Sequence, residues 1–163
     1  MSWTSAREVM SIFGNATYQD LRNRSRTGAQ AAFFNDRIPN RSPFSAYGEA
    51  RLRARRVAVP NDSLEVAFRS QYTHGFFRTW ESAGATAQKD YVSSQVAHSI
   101  SLTYLAQGKE RVISSSVEVQ NLTNAKLYDY FGVQRPGRAF FFKLTFENQF
   151  RRSARSERKK KLL

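Results

Sequence analysis

Few side chains in this 163-residue sequence are of types that do chemistry by themselves. It has no cysteine, which excludes disulfides, thiolate metal sites and a cysteine nucleophile. Its two histidines, His74 and His98, stand 24 positions apart, with no carboxylate pair at a spacing that would complete a metal site beside either. No nucleotide-binding glycine loop, zinc spacing or nucleophile motif is present. The expectation is a protein that is not an enzyme and has no cofactor or metal. What remains is charge. There are 26 Lys and Arg against 13 Asp and Glu, a net of +13, with a pI near 10.6. Part of that charge lies in the last thirteen residues, RRSARSERKKKLL, where seven cations face only Glu157. A basic chain suggests nucleic acid or an anionic lipid surface as partner. Aromatics at 13%, including 13 Phe, are too many for a disordered chain.

The elements that would position these charges follow a period of two. From Ser63 to Phe77 one parity reads Leu64, Val66, Phe68, Ser70, Tyr72, His74, Phe76, and the other Ser63, Glu65, Ala67, Arg69, Gln71, Thr73, Gly75, Phe77. A helix would mix the two sets on each face, whereas a strand separates them. The same separation recurs over 10–19, 45–55, 97–106, 112–121 and 139–150. This predicts six strands of about ten or more residues, where soluble strands usually run to about 5–6 and tilted bilayer-crossing strands to roughly 9–11. The polar parity carries Arg51, Arg53, Arg55, Glu65, Arg69, Glu118, Lys143 and Glu147 in mid-strand. A wet barrel lumen tolerates those groups, and lipid tolerates the apolar parity.

Connector lengths alternate as well. Those at 20–44, 82–96 and 122–138 are long, and those at 59–62 and 107–110 are short. Long loops at one end and short turns at the other are the habit of outer-membrane barrels. Phe76, Phe77, Trp80, Tyr91, Tyr128, Tyr130 and Phe131 lie near the long connectors and suit an interfacial girdle. The expected fold is all-β: an antiparallel transmembrane β-barrel fragment of about six long strands. Two other arrangements share the alternation. One is a soluble antiparallel sheet or lipocalin-like barrel with the apolar parity inward, which as a basic β-protein would bind nucleic acid. The other is a small self-contained barrel, which needs at least eight strands.

The segment 116–150, SVEVQNLTNAKLYDYFGVQRPGRAFFFKLTFENQF, narrows the choice. Asn121-Leu122-Thr123-Asn124, then Tyr128 and Gly132, then Pro136-Gly137-Arg138 and an aromatic-rich strand from Phe140 to Phe150 together resemble the C-terminal end of TonB-dependent outer-membrane receptors. Ile38-Pro39-Asn40-Arg41-Ser42-Pro43 looks like that family's lead-in to a descending strand, so the resemblance covers about 10–150. It implies a structural role for Asn121, Leu122, Thr123, Asn124, Pro136, Gly137 and Arg138. It also implies that Phe140, Phe142, Leu144, Phe146 and Phe150 carry the signal read by the barrel-insertion machinery. The family's barrel has about 22 strands and an internal plug. It takes up a scarce nutrient (an iron–siderophore complex, a cobalamin or a glycan) when the energised TonB complex displaces that plug. Six strands, without a plug or a signal peptide, imply a C-terminal fragment located in the cell outer membrane, in contact with outer-membrane lipid. In the intact parent the plug, TonB and the nutrient ligand would be its partners, and nucleic acid would not. Residues 1–9 would then be a leader or truncated strand, and 151–163 a basic disordered tail, which the family's usual members lack.

Overall fold

The computed structural model describes residues 1–4, 9–84 and 90–148. The expected Phe150 and the basic tail 151–163 lie outside the described residues. Among the described residues there are nine strands: β1 (Ser2–Thr4), β2 (Met10–Tyr18), β3 (Phe44–Arg55), β4 (Asp62–Thr73), β5 (Phe76–Phe77), β6 (Tyr91–Val92), β7 (Gln95–Gln107), β8 (Arg111–Gln120) and β9 (Ala139–Asn148). Seven form one antiparallel sheet in the order β1-β2-β3-β4-β7-β8-β9, a meander in which each long strand pairs with the next in the chain. β5 and β6 form a small separate ribbon. The described residues contain no α-helix, only the 3-10 turn Ala31–Phe33. β1 and β9 sit at opposite edges, and the sheet does not close on itself among the described residues.

The six long strands have 9 to 13 residues each. Their limits fall within two residues of those expected from alternation, with two differences. The expected strand 63–77 is broken after Thr73. Gly75 lies so close to β6 that a Cβ there would fall 2.1 Å from the Tyr91 hydroxyl, and its N–H donates to Ser94 Oγ at 3.0 Å. The chain therefore leaves the sheet at Gly75, and Phe76 pairs with Val92 instead. The second difference is a short extra strand. Ser2, Trp3 and Thr4 pair with Phe13, Ile12 and Ser11, so part of the polar-looking leader joins the sheet edge.

Register turns the alternation of single strands into two continuous faces. Met10, Leu52, Val66, Leu102, Val117 and Phe142 stand in one cross-strand row, and Ile12, Ala50, Phe68, Ile100, Val119 and Phe140 in the next. A slip of one residue in any pair would break both rows, because neighbouring residues point to opposite faces. Nothing described packs over this apolar face. Among the described residues the buried core side chains are Ala67, Phe76, Val92 and Leu127, while Phe140 and Phe142 are 72% and 71% exposed.

The connectors sort by length to the two ends. At one end lie the turns 56–61 and 108–110, and at the other the long connectors 19–43, 74–94 and 121–138. The turn 56–61 is organised by Asp62. Its carboxylate accepts the backbone N–H groups of Val57, Ala58 and Val59 at 2.6, 2.8 and 3.0 Å and the Tyr104 hydroxyl at 2.8 Å. Arg56 adopts φ +59° to start the turn, a conformation that costs a residue with a Cβ some energy.

Candidate functional site

The face opposite the apolar rows is charged, and the same pairing assembles it. Phe13, Glu49, Arg69 and Ser99 form one row. Ser11, Arg51, Ala67, Ser101, Glu118 and Phe141 form the next. Glu49 is the hub. Its side chain is only 8% exposed, and it accepts Arg51 Nε at 2.5 Å, Arg69 Nε at 2.8 Å and the Tyr47 hydroxyl at 3.0 Å. Arg69 reaches on to Glu118 at 3.7 Å, and Gln120 donates to the same carboxylate at 3.0 Å. One row nearer the short turns, Arg53 donates to Glu65 at 2.6 Å. A half-buried carboxylate needs such donors, because leaving it unpaired away from water is costly. Arg51, Arg53, Glu65, Arg69 and Glu118, expected on the wet parity, are thus linked across strands, and Lys143 and Glu147 lie on the same face of β9.

A groove of about 380 Å³ runs along this face under the connector 121–138. Tyr47, Arg69, Gln71, Glu118 and Phe141 form its floor, and Leu127, Arg135, Pro136 and Gly137 its roof. The roof is fixed by the motif residues. Asn121 closes a turn with its side chain, accepting Ala125 N–H at 3.0 Å and donating to Ala125 O at 2.9 Å. Asn121 and Asn124 both have positive φ, +51° and +52°, which Asn adopts more readily than most residues. Asn124 Oδ1 accepts the Arg138 N–H at 2.9 Å, and Arg138 donates its guanidinium to Leu122 O at 2.6 Å. Gly137 packs so tightly that a Cβ would stand 2.6 Å from Asn124 Oδ1. Thr123 is exposed at this turn. Asn121, Leu122, Asn124, Gly137 and Arg138 therefore meet as a clasp at the base of one loop, although thirteen residues separate Asn124 from Arg138 in the chain.

The three long connectors pack on one another above the sheet. Asp36 accepts both the N–H and the hydroxyl of Ser82, at 2.9 and 2.6 Å. Phe33 stacks on Trp80 at 5.2 Å, Asn40 N–H donates to Phe77 O at 2.9 Å, and Phe76 packs on Tyr130 at 5.6 Å. Gly132, at φ +75°, lies against the Arg78 guanidinium, where any side chain would collide. Gln95 holds Tyr128 through both its backbone N–H and its carbonyl. Asp20 is held below the usual carboxylate range, chiefly by the hydrogen bond from Arg22. The lead-in stretch stitches strand ends together: Ser42 is buried, and its Oγ lies 2.8 Å from the carbonyls of Phe44 and His74. Several aromatics expected in an interfacial girdle instead join loop to loop. The loop-end margin of the apolar face is occupied by Tyr18, Phe44 and Tyr72.

His74 and His98 are on the apolar face. His74 Nδ1 is 3.0 Å from the Tyr72 hydroxyl, and His98 stacks on Phe68 at 5.6 Å. No group of three or more His, Asp or Glu side chains converges among the described residues. Two contributors were invisible to sequence reading. Glu49 becomes a hub only when register brings Arg69 beside it, although Tyr47 and Arg51 at i±2 already flank it in the sequence. Asp62 reads as an ordinary turn acid until the turn folds back on it. No protein-family model, no curated protein and no solved structure matches the chain.

Proposed function

We propose that this chain forms the wall of a transmembrane β-barrel, as the C-terminal part of a TonB-dependent outer-membrane receptor for a scarce nutrient such as an iron–siderophore complex, a cobalamin or a glycan. The observation that carries the reading is the uncovered apolar face: register-aligned rows across six strands, ending on Phe140, Phe142, Leu144 and Phe146 at 59–72% exposure. A soluble sheet covers such a face with a second layer, whereas acyl chains cover it in a barrel wall. The ion-paired face would then line the lumen, toward the plug, and the packed long connectors would face outward, where cargo arrives. The clasp of Asn121, Asn124, Gly137 and Arg138 supports the family reading, because the residues that carry the resemblance are those that build one loop base. In this reading the wall does not transport alone; the intact receptor's plug and TonB would perform the gated step.

The test uses single cysteines, which are clean because the chain has none. Cysteines at Leu102, Val117 and Phe142, and at Ser101, Glu118 and Lys143, are labelled with an environment-sensitive fluorophore in the full chain reconstituted into vesicles containing a nitroxide-tailed lipid. Quenching should alternate, strong for the first three and weak for the second three. Equal quenching of both sets, or a chain that stays monodisperse in detergent-free buffer with Phe142 shielded, would overturn the reading. Nucleic-acid binding by a basic sheet calls for Arg and aromatics interleaved on one face. Here Phe68, Phe140, Phe142 and Phe146 stand opposite Arg51, Arg53 and Arg69, while Phe13, Tyr47 and Phe141 share the Arg face, where Tyr47 is bonded into the ion-pair network.

A further inference from the structure

One cationic hollow is not absorbed by the wall or the groove. It lies at the loop end of the apolar face, has a volume of about 270 Å³, and is lined by Arg37, Arg41, His74, Phe77 and Tyr91 among others. His74, one residue beyond β4, keeps its ring on the apolar side, with Nδ1 3.0 Å from the Tyr72 hydroxyl, so the hollow opens beside the apolar face. His74, in its lining, touches Tyr72, which packs on Phe44 at 5.9 Å, and Tyr18 at 70% exposure lies beside Phe44 in register. Aromatic residues with a polar tip at the margin of an apolar band occupy headgroup depth in a bilayer.

Of the two guanidiniums that line the hollow, one has no carboxylate partner among the described residues and the other shares Asp20 with Arg22. Arg41 makes no side-chain hydrogen bond or ion pair among the described residues. Arg37 Nε is buried without a hydrogen-bond acceptor. The nearest carboxylate, Asp20, is 3.6 Å away and is already held by Arg22 at 2.9 Å. Glu81 takes the backbone N–H of Arg37 at 3.2 Å. An oxyanion with several acceptor oxygens would satisfy both forks, as guanidinium pairs do with phosphate.

We infer that Arg37 and Arg41 bind the phosphate of an anionic lipid headgroup, whose acyl chains lie down the apolar face past Tyr72 and Phe44. The inference rests on the membrane reading above and adds to it a specific lipid contact. Charge complementarity names the occupant: two cations sit at the end of an apolar face, above a tyrosine-bearing margin.

The full chain, folded in dodecyl maltoside micelles, is titrated with phosphatidic acid or with diacylglycerol of the same chains, and retained lipid is counted by native mass spectrometry. Phosphatidic acid should be retained and diacylglycerol lost. R37Q/R41Q should weaken retention about thirtyfold and R41Q alone about fivefold, the sizes expected of two and one surface cations. R37K/R41K, which restores the charge but not the planar fork, should recover only part of the loss, and Arg53→Gln on the opposite face should change nothing. R41Q guards against misfolding of the double variant, since the Arg41 side chain makes no hydrogen bond or ion pair among the described residues. Inorganic phosphate in tenfold excess should not displace the lipid, because it lacks the acyl chains. Equal retention of both lipids, wild-type retention by R41Q and R37Q/R41Q, or full displacement by inorganic phosphate would overturn the inference. The nitroxide quenching at Phe142 separates the two readings. If that quenching persists while phosphatidic acid shows no preference, the lipid site fails and the wall stands. If the chain does not insert, both fail.

Discussion

At the scale of single residues, the two faces make opposite demands on neighbouring positions. Ser116 and Val117 are adjacent in β8 but point to the charged and the apolar face. A charge on the lipid side of a barrel wall costs about 2–4 kcal/mol near mid-membrane, and much less where water reaches. Val117→Arg should therefore destabilise the chain by about 3 kcal/mol in phospholipid vesicles. Ser116→Arg, beside Glu118 and Lys143, should cost under about 1 kcal/mol. Urea titration of both variants in the same vesicles checks this, and equal losses would show that the faces do not differ in solvent. The hub carboxylate gives a second contrast. Glu49 has three donors and an 8% exposed side chain, while Glu65 is 21% exposed and is held by Arg53. Glu49→Gln should cost about 2 kcal/mol, since it weakens several charge-assisted bonds, and Glu65→Gln under about 1 kcal/mol. Similar losses would mean that the network is merely a solvated surface.

Elements were legible in the sequence to different degrees, for physical reasons. The long strands show themselves through a side-chain period of two that only a pleated chain can satisfy, so Leu64 to Tyr72 is readable without coordinates. The break at Gly75 was not readable, because the groups it packs against, the Tyr91 hydroxyl and the Val92 carbonyl, are sixteen and seventeen residues away in a different ribbon. Phe76 fits the alternation by accident of composition, and Phe77 falls on the polar parity. The pairing of Ser2–Thr4 with β2 was likewise hidden, since three polar and aromatic residues carry no period. The site divides in the same way. The parity of Arg51, Arg69 and Glu118 was readable and their meeting at Glu49 was not, because register is a property of pairs. The loop base makes a further demand at this scale. Gly137 has no room for a Cβ against Asn124 Oδ1, the atom that holds Arg138 N–H. Gly137→Ala should open the clasp and speed proteolysis within 121–138 while the strand signal in circular dichroism stays unchanged. Loss of the strand signal as well would make the clasp a condition of the sheet and not of the loop alone. The turn 56–61 is the opposite case, held by one carboxylate. Asp62→Ala frees three backbone N–H groups and should lower the urea midpoint more than Tyr104→Phe, which removes one hydrogen bond.

At the scale of the whole molecule, the described sheet has two unpaired edges and an uncovered apolar face, and β9 combines both. It is the last strand in the order, its outer backbone groups have no neighbour among the described residues, and its exposed parity is Phe140, Phe142, Leu144 and Phe146. A long, flat, apolar edge is a template for further strands. In a closed barrel wall the next strand would occupy that edge and lipid the face. In plain buffer other copies of the chain would take both places. Without detergent the chain should therefore form β-rich assemblies, nucleating at β9 and binding an amyloid dye. In dodecyl maltoside micelles it should disperse. Phe142→Lys and Phe146→Lys place two charges on this edge, the device natural sheets use to blunt such strands. The doubly substituted chain should assemble at least several-fold more slowly in buffer. Lys substitutions at Phe13 and Phe141, on the charged face, add the same net charge and should slow assembly far less. Light scattering and dye fluorescence, followed with and without detergent, separate the cases. If both double variants slowed assembly equally, net charge and not the apolar edge would govern association. The sheet's uncovered face would then lose its standing as the part of the molecule that seeks an acyl environment.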